Sequence, residues 1–302
     1  MRNIIDGHSH FMPPEVAEKT TFFKVNWSDL DAQLTAMDKY GVEKSLLLYP
    51  TSDAHSQLGD WSTLCAIYNE AIAKVVKAHA GRFIGAGILP VDSPDAIPGE
   101  LNRIKDLGLK AISLASSYDG VYLDDGRFDP VFEFARNNDV PVHVHPQIMR
   151  PIGEERVNDP LLTPVLSYVF DVSMSIGKLM MEGTFLNFPD VNFVFAHYGG
   201  VLPFLKERFD NTYVMLRDRN YVKDLGKIPS DYFKNVFFDI SGSKSKASLL
   251  CALEITDAKH IIFGSDWPAN RRFDEVIENV RQIDILDEDK RLMLRNPLLL
   301  SL

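Results

Sequence analysis

Short apolar segments rich in β-branched residues alternate with longer amphipathic segments throughout the 302-residue chain, and this alternation limits the possible folds more than any other feature. Several of the short segments, such as Ser-Leu-Leu-Leu at 45–48, are apolar at nearly every position. That pattern is typical of strands buried on both faces in a parallel sheet. Eight segments are predicted as strands, at residues 3–6, 44–49, 83–89, 110–114, 140–145, 192–197, 235–240 and 260–265.

Helical patterns occupy the intervals between the predicted strands. In the first of them, Leu30, Leu34 and Met37 recur at the spacing of one helix face. Glycines that can end a helix stand before later strands, as Gly41 does before the second and Gly81 before the third. The remaining predicted helices cover residues 61–80, 94–107, 130–137, 160–187, 202–217, 245–256 and 273–286.

Eight strands that alternate with eight helices predict an α/β fold of the closed (β/α)8 or TIM-barrel type. Such a barrel needs ~250 residues, so the chain is expected to form a single barrel domain over residues 1–302. A doubly wound open sheet is the competing fold. It usually carries a glycine-rich phosphate-binding turn after a strand, and the sequence contains no such turn.

Composition and charge narrow the classes of partner. The net charge of −10 and the pI of about 5.3 argue against nucleic acid or an anionic membrane as the main partner. No segment is apolar for the ~20 residues that a membrane span requires, and the first residues do not resemble a signal peptide. We therefore expect a cytoplasmic protein in which Cys65 and Cys251 are reduced.

Histidine and aspartate side chains fall at the ends of four predicted strands. His8 and His10 follow the first strand, His145 and His197 end the fifth and sixth, and Asp266 follows the eighth. In a (β/α)8 barrel the chemistry takes place at the carboxyl ends of the strands, and residues two apart on a strand share a face. His8, His10, His145 and Asp266 are thus predicted to hold one divalent ion. Imidazole suits Zn, Fe, Ni or Cu, and the carboxylate also admits Mn.

Other residues near these strand ends have two interpretations each. His143 either supports the site as a hydrogen-bonded core residue or takes part in it, and Asp239 is either such a support or ordinary polarity of the barrel rim. Trp267 and Tyr198 stack on a substrate or pack in the core. His55, in the loop after the second strand, either contacts substrate or is exposed to solvent.

Four motifs contain the candidate ligands and their neighbours. They are Asp-Gly-His-Ser-His at 6–10, Val-His-Val-His-Pro at 142–146, Phe-Ala-His-Tyr-Gly-Gly at 195–200 and Phe-Gly-Ser-Asp-Trp-Pro at 263–268. Four further matches lie in the framework: Met-Asp-x-x-Gly-Val at 37–42, Phe-Asp-Pro at 128–130, Gly-x-Phe-x-x-Phe-Pro at 183–189 and Arg-Asn-Pro-Leu at 295–298. Together they resemble the amidohydrolase-related family, whose best-known branch contains aminocarboxymuconate semialdehyde decarboxylase and the dihydroxybenzoate decarboxylases. The motifs specify the family and do not select one reaction within it.

The resemblance implies a site with one metal ion and a homodimer. His8, His10, His145 and Asp266 would bind the ion, most suitably Zn with Mn as the alternative, and His197 would be the catalytic acid/base. The dinuclear branch of the wider superfamily bridges its two metals with a lysine at the end of the fourth strand. Here Lys110 lies at the opposite end of that strand, which favours one metal.

Two arginine positions of the family's decarboxylases bear on which substrate this chain can bind. Arg208, eleven residues after His197, occupies the position of an arginine that reaches a neighbouring subunit's site, although it can equally pair with carboxylates on its own helix. The arginine that clamps a substrate carboxylate ahead of the 37–42 motif is replaced here by Gln-Leu-Thr-Ala at 33–36. Arg150, on the loop after the fifth strand, is a candidate substitute. That loop, residues 146–159, is long enough to act as a lid, although most loops of this kind only connect two elements.

Two reactions and one non-enzymatic function remain open, and the resemblance implies a third reaction, hydration of an unsaturated acid at the same site. The first is decarboxylation of a small unsaturated or aromatic carboxylic acid, in which His197 protonates the carbon that loses carbon dioxide. The alternative is hydrolysis of an amide, ester or lactone, in which Asp266 accepts a proton from the attacking water and His197 stabilises the oxyanion. The missing arginine near Gln33 favours this alternative. A barrel that only binds a ligand is the non-enzymatic possibility, and the complete ligand set argues against it.

Overall fold

A computed structural model describes residues 3–23 and 25–302. Eight parallel strands form a nearly closed barrel in the order β1-β2-β3-β4-β7-β8-β9-β10, which confirms the predicted (β/α)8 fold, and each predicted strand overlaps an observed one. A two-stranded antiparallel hairpin, β5 and β6, was not predicted. The strands are β1 (Ile4–His10), β2 (Val42–Leu48), β3 (Phe83–Gly87), β4 (Ala111–Ala115), β5 (Ser117–Tyr118), β6 (Val121–Tyr122), β7 (Val142–His145), β8 (Phe193–Phe195), β9 (Phe237–Asp239) and β10 (Ile261–Ile262).

Helices follow the barrel strands and cover the outside of the barrel. Among the described residues, no helix is long and apolar enough to cross a membrane. The α-helices are α1 (Pro14–Ala17), α2 (Leu30–Tyr40), α3 (Ala54–Leu58), α4 (Trp61–Ala78), α5 (Ile97–Asp106), α6 (Asp129–Asn138), α7 (Tyr168–Glu182), α8 (Thr184–Asn187), α9 (Leu202–Arg217), α10 (Pro229–Phe233), α11 (Lys246–Leu253), α12 (Asp274–Gln282), α13 (Asp287–Leu294) and α14 (Pro297–Leu300).

The helix predicted over residues 160–187 is divided in the structure. A π-helical turn, Thr163–Ser167, precedes α7, and Gly183 separates α7 from α8. Gly183 has a φ of 91°, a left-handed conformation that glycine adopts easily, and its N–H caps the carbonyls of Leu179 and Met180. The hydrophobic periodicity continues through this glycine, which is why the sequence alone predicts one helix.

Backbone hydrogen bonds between β1 and the segment after β10 close the barrel. The N–H of Gly7 donates to Phe263 at 2.8 Å, and the N–H of His10 donates to Trp267 at 2.7 Å. A third bond runs in the opposite direction, from the N–H of Asp266 to the carbonyl of His8, at 2.8 Å. The closure therefore places Asp266 beside the strand that carries the first two histidines.

An apolar cluster lies inside the barrel, mostly towards the amino-terminal ends of the strands, although Leu48 reaches the level of His10. The helix α14 contributes Leu299, which is 1% exposed, so the apolar carboxyl-terminal segment is part of this cluster. Space is tight there, because a Cβ on Gly7 would lie 2.4 Å from Ile262 and 2.9 Å from Leu299. The buried members are Ile5, Leu46, Leu48, Ile84, Ala86, Ala111, Val194, Ile262 and Leu299.

Candidate active site

The predicted metal ligands meet at the carboxyl-terminal end of the barrel. β1 carries His8 and His10, β7 ends at His145, and Asp266 follows β10. The Nε2 atoms of His8 and His10 lie 3.0 Å apart, and Asp266 Oδ1 lies 3.5 Å from the first and 3.3 Å from the second. One ligand atom from each of the four residues lies within 4.8 Å of the others. The structure thus brings together the four residues selected from the strand ends.

The hydrogen bonds of the three imidazole rings determine which nitrogen faces the centre of this cluster. In each ring Nδ1 faces an oxygen acceptor: the Asp239 carboxylate for His8 at 2.8 Å, the Leu48 carbonyl for His10 at 3.2 Å and the Pro146 carbonyl for His145 at 2.9 Å. Each Nδ1 therefore donates its proton, which leaves a lone pair on each Nε2. Two lone pairs 3.0 Å apart repel each other without a cation between them. Their spacing fits two nitrogens bound at ~2.1 Å to one ion.

Burial and nearby charges favour the protonation states that a metal site needs. Burial lowers the pKa of His8 to about 4, partly opposed by Asp239, and burial with the neighbouring imidazoles lowers the pKa of His145 well below its usual value. Burial acts to raise the pKa of Asp266, but the contact with His10 and the other histidines around the carboxylate favour its charged form and outweigh burial, so this pKa is lowered. Neutral imidazoles and an ionised carboxylate are the forms that bind a divalent cation.

Asp239, at the end of β9, connects this cluster to His197. Its Oδ2 accepts from His8 Nδ1, and its Oδ1 accepts from the backbone N–H groups of His197 at 3.1 Å and Ser241 at 3.0 Å. The Ser241 hydroxyl contacts the same Oδ1 and lies 2.8 Å from His197 Nδ1. Of the two interpretations of Asp239, a support for the site is the one that fits these contacts.

Three residues of the site have a left-handed backbone conformation. The φ angle is 53° at His197, 63° at Tyr198 and 57° at Asp266. Residues other than glycine adopt such angles at a cost of about 1–3 kcal/mol each, and these conformations concentrate at functional sites. At Asp266 the hydrogen bond from its N–H to the carbonyl of His8 holds the conformation against β1.

Asp6 and Ser241 belong to the site but were not predicted from the sequence. Asp6 is buried and accepts hydrogen bonds from the backbone N–H of His8 and from Ser45 and Ser265, and burial raises its pKa to about 6. It joins β1, β2 and the segment after β10 below the site. The available signal was the two-residue spacing that places strand residues on one face, with Asp6 two before His8 and Ser241 two after Asp239.

Three of the four candidate ligands line an open cleft of about 1280 Å³, while His8 is fully buried. His10, His145, His197 and Asp266 line its floor. No lysine or arginine is among the lining residues in the described part of the chain, whereas Glu154 is one of them. Much of the wall is apolar or aromatic, with contributions from Phe22, Trp27, Ile148, Tyr168, Val169, Tyr198 and Phe204.

The predicted substrate-binding residues differ in their positions. Tyr198 lines the cleft, and its hydroxyl donates to the carbonyl of Ser243 at 3.2 Å. Trp267 is buried and packs edge-on against Phe273 rather than lining the cleft, which fits the core-packing interpretation. Arg150 is 80% exposed, pairs with Asp119 and lies outside this cleft. Arg208 is exposed on α9 and also lies outside the cleft lining.

Three other side chains that were considered for the site, Gln33, His143 and His55, do not line the cleft. Gln33, which stands where the decarboxylases have an arginine, is buried and donates to Ser9 at 3.0 Å, so it does not reach the cleft. His143 is buried below the site as predicted, but neither ring nitrogen forms a hydrogen bond to a described residue; Nε2 lies 3.2 Å from Asp239 Oδ2 in unfavourable geometry. His55 is partly buried and stacks on Trp61, outside the main cleft.

Comparison with known proteins identifies the family of the chain. The amidohydrolase family model matches residues 5–296, almost the whole chain. The chain belongs to the amidohydrolase family. The family predicted from the four motifs is confirmed, and so is the expectation that the protein is an enzyme.

Among its relatives, gamma-resorcylate decarboxylase from Rhizobium sp. (strain MTP-10005) is 28% identical over 294 residues, covering 89% of this chain and 88% of the relative. The 2-amino-3-carboxymuconate-6-semialdehyde decarboxylase of Dictyostelium discoideum is 27% identical over 255 residues, covering 80% and 67%. A crystal structure of 5-carboxyvanillate decarboxylase from Novosphingobium aromaticivorans, complexed with manganese and 4-hydroxy-3-methoxy-5-nitrobenzoic acid, has a TM-score of 0.83 at 22% identity, covering 97% and 94%. The structural likeness supports the barrel fold.

Proposed function

We propose that this amidohydrolase-family protein is a metal-dependent decarboxylase of a small aromatic carboxylic acid. The observation that carries the proposal is the convergence of three imidazole Nε2 atoms and the Asp266 carboxylate at the floor of a cleft, with His197 beside them. The relatives named above are decarboxylases, and two of them bear the names of aromatic acids. The apolar and aromatic walls of the cleft suit a planar aromatic ring.

One divalent ion would be held by His8, His10, His145 and Asp266. Three imidazoles and a carboxylate suit Zn, and the manganese in the Novosphingobium aromaticivorans enzyme supports Mn as the other candidate. When bound, the ion would act as a Lewis acid that offsets negative charge on substrate oxygens near the reacting carbon.

His197 is placed to transfer the proton. Its Nδ1 faces Ser241, so Nε2 is the ring nitrogen available to a substrate in the cleft. In the proposed reaction the protonated imidazole gives its Nε2 proton to the ring carbon that bears the carboxylate. The bond from that carbon to the carboxylate then breaks, its electron pair returns to the aromatic ring, and carbon dioxide leaves. The net change replaces one carboxylate with one hydrogen.

A homodimer is part of the proposal, because apolar side chains are exposed beside the cleft. Leu161 is 67% exposed, Val165 54% and Phe204 84%. Phe204 stands one helical turn before Arg208 on α9, so a second copy that covers Phe204 would also meet Arg208. Light scattering of the wild type and of Phe204→Ser tests this assembly: a dimer that the substitution weakens is expected, and a monomeric wild type would contradict it.

Product analysis tests the reaction. The protein is loaded with Zn or Mn and incubated with 2,6-dihydroxybenzoate, 5-carboxyvanillate, and a panel of aryl esters and lactones. We expect carbon dioxide and the decarboxylated arene from an aromatic acid. A new carboxylate from an ester or lactone, with no carbon dioxide from any acid, would instead support the hydrolase. Full metal loading with no turnover of any compound would support a barrel that only binds its ligand.

The variant His197→Ala tests the proton transfer. We expect it to keep its metal and to lose ~10²-fold or more in decarboxylation rate, because the general acid is gone. His79→Ala, which removes a histidine at the carboxyl end of α4, is the matched control and should retain the wild-type rate. An unchanged rate in His197→Ala would exclude His197 as the acid.

A further inference from the structure

Ser241 is buried two residues beyond the end of β9, between a candidate metal ligand and the proposed acid. Its Oγ lies 2.8 Å from His197 Nδ1 and 3.1 Å from His8 Nδ1, and it contacts Asp239 Oδ1. No other side-chain atom in the described residues forms a hydrogen bond to the His197 ring. Among the described residues, this hydroxyl is therefore the side-chain group that fixes the ring by a hydrogen bond.

The direction of the hydrogen bonds follows from the groups around Asp239. Its Oδ1 already accepts two backbone N–H groups, from His197 and Ser241, and is therefore an acceptor towards the serine hydroxyl as well. The single hydroxyl proton of Ser241 is used in that contact. Ser241 Oγ must then accept from His197, so the His197 proton lies on Nδ1 and the lone pair lies on Nε2.

We propose that Ser241 is a positioning residue that holds His197 in the tautomer with the proton on Nδ1 and with Nε2 directed into the cleft. Through Asp239 the same hydroxyl connects His197 to His8, so the acid and a metal ligand share one support. The catalytic meaning of this arrangement rests on the proposed function: protonation of the free Nε2 gives the imidazolium that acts as the acid, while Nδ1–H stays bonded to Ser241. The tautomer itself does not depend on any reaction.

Two glycines leave the space that this contact requires. A Cβ on Gly242, which has a φ of 78°, would lie 3.0 Å from His197 Nδ1. A Cβ on Gly264 would lie 3.1 Å from the Cβ of Ser241 and 2.8 Å from that of His8. A side chain at position 242 would crowd the His197 imidazole, and one at position 264 would crowd Ser241 and His8, so both glycines keep space around the bond between Ser241 and His197.

The test uses the Zn-loaded protein with 15N-labelled histidine rings, at an alkaline pH where the free imidazoles are neutral. The signal of His197 is assigned by its loss in His197→Asn. In the wild type, Nδ1 should carry the proton. In Ser241→Ala that nitrogen loses its acceptor, so we expect a mixture of tautomers, and Ser241→Thr, which keeps a hydroxyl, should restore the single form. Ser245→Ala, which removes an exposed hydroxyl four residues away that neither touches His197 nor lines the cleft, is the matched control.

The same variants are compared in decarboxylation if a substrate has been identified. Loss of a group that orients a functional imidazole typically costs ~10–100-fold, and we expect Ser241→Ala to lower kcat by that factor, with KM little changed and Thr partly restoring kcat. A single Nδ1–H tautomer in Ser241→Ala, or proton on Nε2 in the wild type, would overturn the inference whatever the reaction. A tautomer shift in a protein without decarboxylase activity would leave the inference standing and remove the proposed function.

Discussion

The two ends of the barrel interior are built from the same strands but from opposite kinds of side chain. β1 has Ile5 at its amino-terminal end and His8 and His10 at its carboxyl-terminal end, and the chain runs from Ile262, which ends β10, to Asp266. Folding removes the apolar side chains of the first end from water, and this burial stabilises the fold. The polar end holds buried imidazoles and carboxylates and left-handed backbone, which are costly to stability. Substitutions at the polar end should therefore change metal binding and reaction rate, and substitutions at the apolar end should change the free energy of unfolding.

The largest expected effect is at the polar end. His145→Ala removes one of the four candidate ligands from the carboxyl end of β7. We expect loss of tightly bound metal, and a fall in rate of more than ~10³-fold, because several kcal/mol of charge stabilisation disappear. With metal removed by a chelator, its free energy of unfolding should stay close to that of the metal-free wild type. Metal analysis, turnover and urea unfolding measure the three quantities.

His260→Ala is the control for this experiment, since it removes a histidine at the opposite end of the barrel. His260 precedes β10 and pairs with Asp257 at 2.8 Å. It should bind metal and turn over like the wild type. If His145→Ala retained stoichiometric metal and full activity, the polar end of the barrel would not be the metal site.

The fold could be predicted because the barrel strands have a strong local signal. Near-continuous apolar runs such as 45–48 and 193–196 identify strands buried on both faces, and glycines such as Gly41 mark helix ends. The division of the segment at Gly183 was not predictable, because hydrophobic residues with helical spacing continue on both sides of it. The hairpin of β5 and β6 was also missed, since two-residue strands are too short to show a pattern.

The site could be predicted only as far as strand ends determine it. Parallel strands bring their carboxyl ends together, which is sufficient to place His8, His10, His145 and Asp266 in one cluster. The link from Ser241 to His197 depends on ring orientation and on a left-handed turn, and neither has a signal in the spacing of residues. The roles suggested for Arg150 and Arg208 depend on loop and subunit positions that strand counting does not address.

The next largest effect should occur at the apolar end. Leu299→Ala removes a buried side chain of α14 from the cluster inside the barrel. Such truncations cost about 2–5 kcal/mol in unfolding free energy, through lost burial and the cavity left behind. Urea unfolding of metal-free protein measures the change, and metal stoichiometry and turnover of the folded variant should be unchanged.

Leu300→Ala, one residue later and 44% exposed, is the matched control and should have little effect on unfolding. An equal loss of stability in the two variants would show that the carboxyl-terminal turn does not act through the buried cluster. Loss of metal from folded Leu299→Ala would show that the apolar end also affects metal binding, so that the two ends of the barrel are coupled.

The smallest effect should come from an ion pair at the amino-terminal end, where polar groups lie on the surface instead of inside. Arg295, after α13, pairs with Glu43 at the start of β2 at 2.6 Å, and the hydrogen bond to Arg295 lowers the pKa of Glu43. The side chains are about one-third exposed, at 31% and 33%, so we expect Arg295→Gln to cost about 1 kcal/mol or less. Because the folded pKa of Glu43 is lowered, the stabilisation is present above the unfolded value near ~4.3 and is lost as the pH falls through the folded value. The difference in the free energy of unfolding by urea between wild type and variant should therefore be constant from neutral pH down to about pH 5 and shrink towards pH 4.

The control is Arg291→Gln, which removes an exposed ion pair with Glu288 within α13 and should show no measurable difference at either pH. A difference for Arg295→Gln that grows as the pH falls would contradict the assignment of this effect to Glu43.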